Sequence, residues 1–157
     1  MLVKDLIMML SIKRTTAQNK DFIDLVRLLD IELAEIDGEE HGFYSQYNKI
    51  DKINHVVLLY ENELAIACGA IKEYALDTME VKRMYTHLAY RGKGIASRLL
   101  KELEKWAKEL GYKKCLLETG KRQEDAVALY RKNDYQHISN YGQYVGIENS
   151  ICFQKIL

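Results

Sequence analysis

Apolar positions change their spacing several times along the chain, and each change marks an element. Leu10–Arg14 is short and partly apolar and predicts a first strand. From Phe22 the apolar residues Leu25, Val26, Leu29, Leu33 and Ile36 recur at intervals of three and four, one buried face of a helix that Asn19 or Asp21 can cap. His41–Tyr47 predicts a short second helix. The period then shortens. His55–Tyr60 is β-branched and apolar, Glu61-Asn62-Glu63 reads as a turn, and Leu64–Tyr74 is a second apolar run interrupted by Gly69, so the two predict a hairpin. Thr78–His87 predicts the next strand. A helix follows from about Gly94 to Leu110, with Ile95, Leu99, Leu103, Trp106 and Leu110 as its buried stripe and Gly111 as its stop. Lys114–Thr119 predicts a strand, Glu124–Lys132 a helix, and Tyr135–Ser139 and Ile151–Ile156 two closing strands around the loop 140–150.

The order is βα(α)βββαβαββ. That pattern belongs to the α/β (α+β) class: a mixed, mostly antiparallel sheet of six to seven strands, flanked by about four helices. At 157 residues, without a proline or low-complexity linker, one domain over 1–157 is expected, with residues 1–9 as a candidate N-terminal extension. The apolar run Leu6–Leu10 is far shorter than the roughly 20 residues of a membrane span. Cys68, Cys115 and Cys152 are odd in number and widely spaced, which argues against a disulfide framework and fits a reducing cytoplasm with buried thiols. The four histidines lack metal-ligand spacing, so no metal is expected. Lys101, Lys105 and Lys108 are interleaved with Glu102, Glu104 and Glu109, a solvated helix face rather than a nucleic-acid surface.

The net charge of zero conceals a division. Residues 1–80 carry 8 Lys/Arg against 15 Asp/Glu, and residues 81–157 carry 15 against 8. Either the halves neutralise each other in the fold, or they face ligands of opposite sign. The acids between Asp30 and Glu40 would then draw in a cationic amine, with Tyr141, Tyr144 and Glu148 of the loop 140–150 closing the other side.

The most informative chemistry lies between the fourth strand and the long helix. In Arg91-Gly92-Lys93-Gly94-Ile95-Ala96 two glycines permit a tight turn, and the helix then opens with free N–H groups beside two bases. This is either a site for a phosphate or pyrophosphate or an ordinary strand-to-helix loop with incidental basic residues. It lacks the spacing of a Walker loop, and it misses the third glycine of a dinucleotide fingerprint.

Those six residues fit the R/Q-x-x-G-x-G/A pattern of the GNAT N-acetyltransferase superfamily. The strand Glu80–Thr86 resembles that family's fourth strand, and Ala126–Tyr135 resembles its A-x-x-L-Y-x-K-x-G-F segment, with Asp134 in place of the glycine and Leu88 in place of a usual proline. The resemblance runs over nearly the whole chain, from about Leu10 to Leu157. It implies acetyl-CoA as acyl donor, its arm lying between the fourth and fifth strands. The backbone of Met84, Tyr85 and Thr86 would pair with the arm, Arg91, Gly92, Lys93, Gly94, Ile95 and Ala96 would hold the pyrophosphate, and Gln123 would lie beside the arm. Tyr130 falls on the tyrosine that protonates the departing thiolate.

Acyl transfer to an amine also needs a base. Glu80 is the first candidate and Glu118 the second. Strict alternation would put Glu80, Lys82, Met84 and Thr86 on one face of the strand, and a bulge would reverse that parity. The expected activity is acetyl transfer to a small amine or amino-acid-like acceptor, by an enzyme that is cytoplasmic and by family analogy a candidate homodimer through Ile151–Ile156. Three rivals stay open: a non-catalytic acyl-CoA-binding regulator, an enzyme acetylating protein lysines or N-termini, and a dinucleotide binder.

Overall fold

The structure, a computed structural model, describes residues 9–46, 49–50 and 52–157. The candidate extension therefore falls almost wholly outside the described residues, as does Tyr47 at the end of the expected second helix. The elements run β1 (Leu10–Thr15), α1 (Lys20–Asp37), α2 (His41–Ser45), β2 (His55–Glu61), β3 (Leu64–Ala75), β4 (Thr78–Thr86), α3 (Ile95–Glu109), β5 (Lys114–Gly120), α4 (Glu124–Lys132), β6 (Gln136–Ile138) and β7 (Ser150–Ile156). The seven strands form one sheet in the order β1-β2-β3-β4-β5-β7-β6. Every pairing is antiparallel except β4 with β5. The expected mixed, mostly antiparallel architecture is present.

Both faces of the sheet are covered. Leu99, Leu100, Leu103 and Ala107 of α3 pack with Val57, Leu59, Ile66, Ile71, Met79, Val81, Leu117 and Phe153 on one side, where Tyr130 of α4 joins them. Phe22, Leu25 and Val26 of α1 pack with Val56, Leu58, Cys68 and Ala70 on the other. The strands alternate between these layers, as a sheet buried on both faces requires. Asn19 caps α1, its side-chain oxygen accepting the Asp21 N–H at 2.8 Å.

Several local expectations are corrected. Leu110 lies at the helix end and is 45% exposed, while Trp106 is half-buried beneath the Arg14 guanidinium, 4.9 Å from its ring centroid; Leu100 and Ala107 occupy the core positions instead. A 3₁₀ turn over Gly38–Glu40 leads into α2, which ends at Ser45 with Gln46 as its C-cap. Gly69 does not interrupt β3. A Cβ there would approach Leu99 Cδ2 and Met84 Sδ to 2.5 Å, so glycine is what lets α3 close onto the sheet.

Two features of β4 prepare the site. Its pairing with β5 covers only Thr78–Lys114, Met79–Cys115 and Glu80–Leu116, after which the two strands diverge. Opposite β3, the three steps from Lys82 to Tyr85 face the two from Ala70 to Cys68, a β-bulge. Arg83 within it has φ 58°, and its buried side chain pairs with Asp30 of α1. The bulge reverses the alternation. Met84 packs on the α3 side with Met79 and Val81, and Tyr85 on the α1 side. The strict-alternation expectation for Glu80, Lys82, Met84 and Thr86 fails at this bulge.

Candidate active site

The divergence of β4 from β5 opens a cavity of about 810 Å³. One end is the turn into α3. Gly92 and Gly94 have φ 76° and 77° and nothing within 4 Å of where a Cβ would stand, so the turn requires glycine for its conformation and not for space. Gly94 offers α3 no side-chain cap. Among the described residues Arg98 is the first amide of the helix to reach a carbonyl, that of Gly94 at 3.1 Å. The preceding N–H groups are free to meet an anion. Gly92, Gly94, Ile95 and Ala96 line the cavity, as do Met84, Tyr85, Thr86 and Gln123. This cradle fits a pyrophosphate and an extended arm along β4.

Two bases of the motif behave differently from the expectation. Arg91 lines the cavity, but its Nη1 and Nη2 donate to the two Glu32 oxygens at 2.8 and 3.0 Å and its Nε donates to the Thr86 carbonyl at 2.9 Å. Lys93 is exposed, its ammonium 5.6 Å from the Tyr90 ring centroid, and it is not among the residues lining the cavity.

The opposite end is built from side chains. Glu80 accepts the Tyr141 hydroxyl at 2.5 Å and lies 3.7 Å from Lys82 Nζ. Glu118 accepts the Ser150 hydroxyl at 2.6 Å. Since Leu117 and Phe153 belong to the α3-side core, Glu118 points to the α1 side. Burial pushes its carboxyl up to about 7, the neighbouring Asp37 and Glu80 add to the rise, and the Ser150 hydrogen bond and Lys82 oppose it. Asp37, only 4% exposed, lines the same end, and burial raises its carboxyl as well. Tyr44, Tyr144, Leu29, Leu33 and Ile36 complete the wall. Ile36 thus faces the cavity and not the core.

Tyr130 enters from the other layer. It lines the cavity while its ring packs edge-on against Tyr135 at 5.7 Å and beside Phe153 at 6.2 Å. Burial raises its hydroxyl, so it stays protonated at neutral pH. Carboxylate and phenol therefore reach the gap between β4 and β5 from opposite faces of the sheet.

Half of the acidic run is paired. Asp30 pairs with Arg83, Glu32 with Arg91 and Glu40 with Arg122. These pairs join the two oppositely charged halves of the sequence, so mutual neutralisation accounts for them, and Asp37 is the member of the run that is buried and lines the cavity. Glu148 is exposed and is not among the cavity-lining residues. Ser150 and Tyr44 were missed as site residues. Nothing in the spacing of Tyr44, Glu118 and Ser150 announces that they meet. No group of histidine, cysteine, aspartate and glutamate among the described residues could hold a metal ion. Among them, too, no helix is long and apolar enough to cross a membrane.

Known proteins resemble this chain in sequence and in fold. The model of the acetyltransferase (GNAT) family matches residues 22–135. An IAA acetyltransferase of Azospirillum brasilense is 30% identical over 152 residues, which cover 94% of this chain and 97% of that relative. A candidate acyl-CoA N-acyltransferase of Klebsiella pneumoniae superposes with a TM-score of 0.79 at 25% identity, over 95% of this chain and 98% of that one. A GNAT family acetyltransferase of Elizabethkingia anophelis, solved with acetyl-CoA bound, gives a TM-score of 0.70 at 20% identity over 94% of this chain and 98% of its own, a likeness of fold. The family match spans most of the sequence and the Azospirillum relative aligns nearly end to end, so this chain belongs to the GNAT acetyltransferase family.

Proposed function

We propose that this protein transfers an acetyl group from acetyl-CoA to the amine of a small acceptor, directly, within a ternary complex. The observation that carries this reading is the continuity of the cavity. It joins a glycine-bounded helix N-terminus, a strand edge left free beyond Glu80, and an end where Glu118 and Tyr130 converge. Acetyl-CoA supplies the thioester whose carbonyl is attacked.

Each step has a group placed for it. Glu118, poised near neutral pH, accepts the proton of the acceptor's ammonium and leaves the free amine, which forms the new C–N bond. We assign this role to Glu118 ahead of Glu80, whose oxygens already face the Tyr141 hydroxyl and Lys82. A backbone N–H at Met84 or Tyr85, beyond the last β4–β5 pair, polarises the carbonyl oxygen. Tyr130 gives its hydroxyl proton to the sulfur as the C–S bond breaks, and the proton that the new amide nitrogen sheds restores the phenol. Holding both substrates in one cavity supplies the orientation. The cysteines favour direct transfer over an acyl-enzyme. All three are buried, none lines the cavity, and burial pushes Cys68 and Cys115 up to about 12 and Cys152 to about 11, far from nucleophilic thiolates.

The test is CoA release from acetyl-CoA across a panel of amino acids, alkylamines, diamines and peptide amines. Turnover with a small amine is the expected result. Turnover with peptides alone would move the acceptor to proteins. Thermal stabilisation by acetyl-CoA with no release on any acceptor would replace the enzyme with a regulator.

A further inference from the structure

Four residues, from α2, β5, the start of β7 and the loop just before it, meet behind the acceptor end of the cavity. Ser150 Oγ, at the start of β7, donates to Glu118 Oε2 at 2.6 Å. Tyr44 Oη, on α2, lies 3.0 Å from the same Ser150 Oγ. Asn149 Nδ2 donates to Tyr44 Oη at 3.2 Å. The pair at the centre could be read with either hydroxyl as donor, but chemistry decides it. With Glu118 ionised, its carboxylate only accepts, so Ser150 spends its one proton on Glu118. Ser150 can then only accept from Tyr44, and Tyr44, its proton used, accepts from the Asn149 amide. Every bond points the same way, from Asn149 through Tyr44 and Ser150 to Glu118.

We propose that Asn149, Tyr44 and Ser150 form a polarised hydrogen-bond chain that positions Glu118 and holds it as the carboxylate, with Ser150 as its essential link. The chain ends on an amide that donates and takes up no proton, so it tunes Glu118 and does not conduct protons away from it. Ser150 is 3% exposed and Tyr44 is 7% exposed, so water does not readily substitute for either. Polarisation along such a chain strengthens its last bond.

The chain works against most of its surroundings. Asp37 of α1 and Glu80 of β4 face Glu118 and favour its neutral form, Lys82 of β4 favours the charged form, and Tyr130 of α4, Tyr144 and Cys152 of β7 are neutral groups that feel its charge. Desolvation is the largest effect, and the Ser150 bond is the largest of those that oppose it. Only the consequence for turnover rests on Glu118 being the base in the reading above.

The experiment follows Glu118 itself by carbon NMR in protein labelled at the glutamate carboxyls, the resonance assigned with Glu118→Gln, alongside the pH dependence of kcat/KM. Ser150→Ala is expected to raise the Glu118 midpoint by about one unit from its position near 7, the size of one lost charge-assisted hydrogen bond. Tyr44→Phe, which keeps the ring, raises it by less, and Ser150→Thr restores it. A midpoint unmoved by both Ser150→Ala and Tyr44→Phe overturns the chain. If the midpoint moves and the acidic limb of kcat/KM does not follow, the chain stands and the assignment of Glu118 as base falls.

Discussion

The two ends of the cavity are made of different material. The turn into α3 is built from backbone: two left-handed glycines, an uncapped helix N-terminus and a strand edge without a partner. The acceptor end is built from side chains of α1, α2, β4, β5 and β7, joined by hydrogen bonds between residues as far apart as Tyr44 and Ser150. Backbone presents the same N–H groups whatever side chains surround it, so the first end suits a ligand common to a whole family. Side chains determine shape and charge one residue at a time, so the second end suits whatever differs between relatives. The comparison predicts that substitutions at the acceptor end act on turnover and its pH dependence, and those at the turn act on the KM for acetyl-CoA.

The largest effect is expected from Glu118→Gln. Loss of a general base lowers kcat by about 10²- to 10⁴-fold, and the rise of kcat/KM through about pH 7 should vanish with it. The same substitution has a signature in stability. Glu118 titrates near 7 in the folded protein against an ordinary 4.5, so between those values the folded state binds more protons than the unfolded state and stability falls as pH rises. That window corresponds to roughly 3 kcal/mol. Denaturation of Glu118→Gln at pH 8 should recover part of it, offset by the weakened bond to Ser150. A variant that is inactive and also less stable at pH 8 would make Glu118 a structural residue. The comparison would then lose its acceptor half.

Tyr130→Phe comes next, with turnover reduced by about 10²-fold and acetyl-CoA affinity little changed, since the ring packing against Tyr135 and Phe153 survives. Single-turnover kinetics and a separate binding titration distinguish the two quantities. Unaltered turnover removes Tyr130 from the acid role.

Gly94→Val probes the other end. Nothing crowds a side chain there, but φ 77° strains any β-branched residue. At about 1–3 kcal/mol of strain, relaxed by distorting the turn, the KM for acetyl-CoA should rise about tenfold or more with kcat nearly unchanged. A fall in kcat with KM unchanged would break the proposed division between the two ends.

What could be read from the sequence follows the same division. The turn is local: Gly92, Gly94 and the first residue of the helix they open lie within four residues, so their geometry follows from residue type and spacing. The sheet was legible because strands buried on both faces read as nearly continuous apolar runs bounded by turn residues, as His55–Tyr60 and Leu64–Tyr74 do. The β4 bulge was not, because Lys82-Arg83-Met84 carries no turn residue and the positive φ of Arg83 is held by a tertiary contact, its ion pair with Asp30. The fate of the acidic run was hidden for the same reason. Whether Glu32 or Glu40 faces solvent or an arginine depends on how α1 lies over β4 and β5, which spacing along α1 does not encode. The acceptor network, in which Tyr44 and Ser150 are 106 positions apart, lies beyond any motif.

The smallest expected effect tests whether the turn is purely a backbone device. Arg91 has all three guanidinium nitrogens engaged, two on Glu32 and one on the Thr86 carbonyl. The pair with Glu32 is about one-third exposed on each side, the class of ion pair that contributes ~0–1 kcal/mol. Glu32→Gln removes the counter-charge but leaves a side chain that still accepts from Arg91, so the fold should hold. The net charge at the mouth of the proposed pyrophosphate site becomes more positive by one. If Arg91 contributes charge to that site, the KM for acetyl-CoA falls about two- to fivefold at low salt, and the advantage shrinks at high ionic strength as the Debye length contracts. An unchanged KM at both salt concentrations would mean that Arg91 serves only to tie α1 to the turn, and that the N–H groups of the α3 N-terminus, with the dipole behind them, bind the anion without help from this arginine.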